Sequence, residues 1–85
     1  MKTVHKFQLN PGLTILGLPE GARVLHVAEQ YNNACIWVEL DVGEISFNRC
    51  FYTVPTGGEV PHDYKRFIGT VLMMNGCLVY HIYEV

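Results

Sequence analysis

Turn-forming residues interrupt this chain about every 8–12 residues, and that spacing limits it to short extended segments. Asn10-Pro11-Gly12 is the first break. Leu18-Pro19-Glu20-Gly21 is the second, with Pro at the second turn position and Gly at the fourth. Asn32-Asn33 suits a two-residue hairpin, because Asn tolerates positive φ. Val42-Gly43-Glu44 is a further break, and Pro55-Thr56-Gly57-Gly58 is the longest flexible stretch. Asn75-Gly76 is the strongest hairpin signal of all.

Between these breaks lie apolar runs rich in β-branched and aromatic residues: 4–9, 13–16, 23–29, 35–41, 45–54, 67–74 and 78–85. In the first, His5, Phe7 and Leu9 share one face, and Lys6 and Gln8 the other. In the fourth, Ile36, Val38 and Leu40 oppose Cys35, Trp37, Glu39 and Asp41. The run 45–54 is long enough to bend or carry a bulge. The last two runs flank Asn75-Gly76 and read as the final hairpin. Residues 21–31 are ambiguous: Ala22, Leu25 and Ala28 have helical spacing, whereas Val24, Val27 and the Asn32-Asn33 turn favour a strand. A short helical turn also suits 62–66. The expectation is one β-rich domain over residues 1–85. It has about seven short antiparallel strands in a small sandwich or barrel, and at most one short helix.

Composition narrows what such a domain does. Six Lys+Arg stand against eight Asp+Glu, 49% of residues are hydrophobic and 16% are charged. That is too apolar for a disordered chain, and too acidic overall for one that lives on nucleic-acid phosphates. No apolar run approaches the roughly 18 residues of a membrane span. Met1-Lys2-Thr3-Val4-His5-Lys6 lacks the apolar core of a signal peptide. Cys35, Cys50 and Cys77 are odd in number, form no CxxC and sit in apolar runs. They read as packed, reduced thiols of a cytoplasmic protein. A chain of this length buries only about 60–65% of its unfolded surface. With so little charge, apolar surface is left over, and a homo-oligomer is expected. The terminal run from Leu78 to Val85 is apolar or aromatic on both faces. Trp37, Tyr80 and Tyr83 are therefore the expected contact residues.

Chemistry-bearing residues are sparse. Thr56, Gly57 and Gly58 form a turn that exposes backbone N–H groups, and His62, Lys65 and Arg66 follow just downstream. Together they are a candidate site for a small anion such as a phosphate or a nucleotide. The alternative is a flexible loop followed by a solvated basic pair, diluted by Glu59 and Asp63. The four histidines, His5, His26, His62 and His81, lack metal-ligand spacing, although His26 and His81 lie on runs that could be neighbours. Ser46, the single serine, alternates with Ile45 and Phe47 and reads as a polar-face residue. No nucleophile, acid–base pair, metal or cofactor is indicated, so the expectation is a non-catalytic protein.

As a set, Lys6-Phe7-Gln8-Leu9, Leu18-Pro19-Glu20-Gly21-Ala22, Cys35-Ile36-Trp37-Val38, Phe67-Ile68-Gly69-Thr70 and the terminal Leu78 to Val85 run resemble a family of small phage and prophage proteins without assigned activity. The Thr56-Gly57-Gly58 loop matches a Gly-rich turn in such proteins. The resemblance covers nearly the whole chain and transfers no site residue. It implies a phage accessory protein acting in the cytoplasm of a bacterial host. Three roles suit that origin: a binding protein that inhibits a host defence protein, an oligomer that sequesters a small anionic ligand such as a signalling nucleotide, or a minor structural or assembly component of the particle.

Overall fold

The computed structural model describes all 85 residues. Seven antiparallel strands run β1 (Lys2–Leu9), β2 (Gly12–Pro19), β3 (Arg23–Gln30), β4 (Asn33–Asp41), β5 (Ser46–Pro55), β6 (Arg66–Met73) and β7 (Leu78–Glu84). They form two sheets, of order β1-β4-β3 and β2-β5-β7-β6, packed as a sandwich. The sandwich branch of the expectation is correct. Residues 21–31 are strand β3 and its turn, not a helix, and no helical turn forms at 62–66. The only helical element is a 3₁₀ turn at Met74–Gly76 inside the β6–β7 hairpin, where the Asn75-Gly76 signal fell.

Alternation fixes the core. Ala34, Ile36, Val38 and Leu40 of β4 point inward and meet Leu9, Leu18, Phe51, Val71, Met73 and Ile82 from the other strands. The two-residue turn joining β3 to β4 is Tyr31-Asn32, one residue earlier than the Asn32-Asn33 expected. The run 45–54, long enough to bend or carry a bulge, shows no shift of register. β5 is an interior strand paired regularly with β2 and β7, and the register shifts fall in β3, between Val24 and His26, and in β6, between Phe67 and Gly69. These two strands are the edges where the sheets approach each other, and a bulge bends an edge. Gly69 permits the approach, since a Cβ there would lie only 3.1 Å from Val27 Cγ2.

One connection is not a hairpin. β5 and β6 run in the same direction on either side of β7, so residues 56–65 must cross from one end of the sheet to the other. They do so as a strap over the outer face of β7. Thr56 Oγ1 bonds His81 Nε2 at 2.7 Å, and the Tyr64 ring packs tilted against Tyr83, with ring centroids 4.7 Å apart.

Candidate functional site

The strap separates the two halves of the expected anion site. Thr56, Gly57 and Gly58 lie at the Tyr80 end of β7, whereas Arg66 is opposite Glu84. Four residue steps along the strand, about 13 Å, separate them. The glycines have a local explanation: Gly58 N–H donates to Pro55 O at 2.9 Å to close the turn, and Gly57 has φ +90°. His62 is exposed and faces only Glu59, at 3.5 Å. The six residues therefore do not converge on one ligand.

Lys65 and Arg66 instead join an ionic cluster at the end of the sandwich where β2 turns into β3. Glu84, 3% exposed, accepts from Arg49 Nε at 2.8 Å and from Arg49 Nη2 at 3.0 Å. The remaining guanidinium nitrogen of Arg49 donates to Ala22 O at 2.7 Å and Pro19 O at 3.3 Å. Arg66 Nε lies 3.3 Å from Glu84 Oε1, and Lys65 N–H donates to Glu84 O at 2.7 Å. The bonds from Arg49 hold the Glu84 carboxyl below its usual range against the opposing effect of burial, and the same bonds raise Arg49. A groove of about 430 Å³ opens here, walled by Glu20, Phe47, Arg49, Lys65, Arg66 and Glu84. Arg49 was not among the residues expected at the anion site. The available signal was parity, since Arg49 alternates in phase with inward Phe51 and Thr53.

The aromatic residues expected at contacts occupy three settings. Tyr80 points inward against the core. Trp37 is half-buried on the outer face of the three-stranded sheet, with His26 at 5.8 Å. Tyr83 lies on the outer face of the four-stranded sheet, touched by Tyr64 and, edge-on at 5.3 Å, by Phe67.

That last face is continuous. Register places Leu13, Tyr52, Tyr83 and Phe67 in one row across β2, β5, β7 and β6, with Ile15 and Cys50 beside it. Leu13 is 51% exposed and Ile15 56%, and Tyr52, Tyr64 and Phe67 are also exposed. No outward side chain on these four strands is Asp, Glu, Lys or Arg. β2, at the margin, has no charge in eight residues. That uncharged run was legible as sequence, but its edge position was not.

His26 and His81, the pair that could have been neighbours, lie in opposite sheets. His81 is held between Thr56 Oγ1 and Thr70 Oγ1, the latter 2.9 Å from Nδ1. No group of three or more His, Cys, Asp or Glu is placed to hold a metal ion, and no helix is long and apolar enough to cross a membrane.

No curated protein and no solved structure matches the chain. One family does match, over residues 1–85: the chain belongs to the domain of unknown function family DUF7352.

Proposed function

We propose that this protein is a non-enzymatic binding module that works through β2 and the apolar outer face beside it. Its first partner is a second copy of itself. The observation that supports this is the edge. Gly12–Pro19 is an unpaired sheet margin without charge, and its outward Leu13 and Ile15 lead directly into Tyr52, Tyr83 and Phe67. An edge of that kind offers backbone N–H and C=O groups for pairing, and aromatic neighbours add contact area. Antiparallel pairing of two β2 strands joins two four-stranded sheets into one, brings the Leu13 and Ile15 side chains of the two copies together, and merges both apolar rows into a single continuous face. The resemblance to small phage proteins extends the proposal: the same surface of the assembled protein docks on a bacterial host protein and blocks it.

Light scattering with the purified protein tests the assembly. The wild type is expected to be a dimer or larger at micromolar concentration, and Ile15→Lys a folded monomer. Val4→Lys, on the outer face of the other sheet, leaves assembly unchanged. A monomeric wild type, or an Ile15→Lys protein that still assembles, overturns the proposal.

A second reading rests on the groove where Lys65 and Arg66 stand beside Arg49 and the exposed ring of Phe47. Two cations beyond the Arg49–Glu84 pair, next to an aromatic face, suit a nucleotide. Calorimetric titration with a nucleoside triphosphate checks it. Binding that disappears in the Lys65→Ala/Arg66→Ala protein is the expected result, and no heat of binding to the wild type removes the idea.

A further inference from the structure

Hydrogen-bond parity and two prolines restrict how the β2 edge pairs. Along an antiparallel strand, successive residues point their N–H and C=O groups to opposite sides. Thr56 N–H donates to Val79 O and Val85 N–H to Cys50 O, which fixes that parity in β5: its even-numbered residues bond β7. The odd-numbered Arg49, Phe51 and Thr53 therefore bond β2, where they stand opposite Leu16, Thr14 and Gly12. The backbone groups left on the open margin of β2 belong to Leu13, Ile15 and Gly17.

Both ends of that set are closed. Pro19 has no N–H, and its carbonyl already accepts from Ala22 N–H at 3.0 Å and from Arg49 Nη1 at 3.3 Å. Pro11 also lacks an N–H, and Gly12, at φ +79°, takes the chain out of the extended line just before Leu13. The usable edge is short, and Ile15 is its midpoint.

Only one two-fold register uses every free group. With the axis at Ile15, Leu13 pairs with Gly17 of the second copy, Ile15 with Ile15, and Gly17 with Leu13, and each pair exchanges two bonds. An axis at Thr14 sets Gly17 against Pro11, and an axis at Leu16 sets Leu13 against Pro19, so either loses bonds. The side chains agree with the backbone. Gly17 lies on the outward face, and the nearest atom to a Cβ there would be Ser46 Cβ at 3.9 Å. That open space accepts the Leu13 side chain of the second copy.

We infer that two copies of this chain join through β2 about an axis at Ile15, so that Ile15 faces Ile15 and Leu13 covers Gly17. The inference rests on the β2 assembly proposed above and adds its geometry. Because the strands run antiparallel, the two Lys65–Arg66 grooves, each at the Pro19 end of its own β2, lie at opposite ends of the joined sheet.

NMR on an equal mixture of isotope-labelled and unlabelled protein, filtered for contacts between copies, tests it. Facing residues come closest where they do not exchange bonds, with Cα atoms about 4.5 Å apart. The expected contact is therefore from Thr14 Hα of one copy to Leu16 Hα of the other. Leu13→Pro and Gly17→Pro each remove an N–H that the single chain leaves unpaired, and an edge strand tolerates proline. Each is expected to raise the dimer dissociation constant about tenfold or more in sedimentation, with circular dichroism unchanged. Contacts from Thr14 to Thr14 or from Leu16 to Leu16 overturn the inference and leave the β2 assembly standing. Weakening by only one of the two proline variants does the same. Absence of any contact between copies in β2 removes the assembly and its register together.

Discussion

The two outer faces of the sandwich are built to opposite rules. On the three-stranded sheet, five charged side chains, Lys2, Lys6, Arg23, Glu39 and Asp41, surround Trp37. Its β1 edge carries two of them, and Asp41 is tied to the N-terminal amine at 3.1 Å. Polar links such as that from Gln8 to Asn33, and the Lys6 amine over the Tyr31 ring, lace the surface. On the four-stranded sheet the outward strand positions carry no carboxylate, ammonium or guanidinium. The charges of those strands point inward or sit at the ends, where Arg49 and Glu84 neutralise each other. Edge lysines are a recognised protection against edge-to-edge pairing. One sheet has that protection and the other lacks it, and the proposed contact uses the unprotected one.

The comparison breaks completely if the sandwich itself is lost, and the buried Glu84 is one residue whose removal should threaten it. Glu84→Ala leaves Arg49 buried beside two backbone carbonyls with no counter-charge, and is expected to cost about 3–5 kcal/mol in chemical denaturation. By contrast, Ile15→Lys on the exposed face should change monomer stability by less than about 0.5 kcal/mol while abolishing assembly.

Acid separates the faces next. Glu84 and Asp41 both have carboxyls held below their ordinary values. Arg49 is the main cause at Glu84; at Asp41 it is the Gly43 N–H, followed by the N-terminal amine. In each case the unfolded chain takes up a proton at higher pH than the folded one. Their stabilisation is therefore complete above the unfolded value, near pH 4, and is lost as pH falls through the folded values. Equilibrium unfolding measured against pH should show a steep acid loss in the wild type. Glu84→Gln should flatten most of that slope, and Asp41→Asn little of it, because the Asp41 pair is open to solvent.

A smaller effect is expected from making the protected edge resemble the unprotected one. Lys2→Thr with Lys6→Thr removes the charges of β1, and should add weak, concentration-dependent association seen in sedimentation velocity. Unchanged sedimentation would mean that the lysines do not guard that edge.

Local features were legible in the sequence and long-range ones were not. Asn75-Gly76 announced the β6–β7 hairpin because turn chemistry is set by two residues, and alternation in Cys35 to Asp41 put Ile36, Val38 and Leu40 on one face, which the structure shows to be the core face. β2 was read as four residues, since Gly17 and Pro19 weaken a strand signal. An edge tolerates both, and the strand runs eight. Nothing local could say that β1 pairs with β4 rather than with its neighbour β2, or that residues 56–65 cross β7 and so carry Thr56 and Arg66 to opposite ends. The Arg49–Glu84 pair spans 35 residues, and Lys65 reaches the same glutamate only because the strap returns to that end of β7. Sites built from distant strands become visible only when register is known.

Backbone amide hydrogen exchange, measured residue by residue at low and high protein concentration, tests most directly whether β2 is the contact edge. Amides of Gly12 to Leu18 should gain protection as concentration rises, while those of Lys2 to Leu9 in β1 stay as they were. Protection in β2 that does not depend on concentration, or a gain confined to β1, would contradict it.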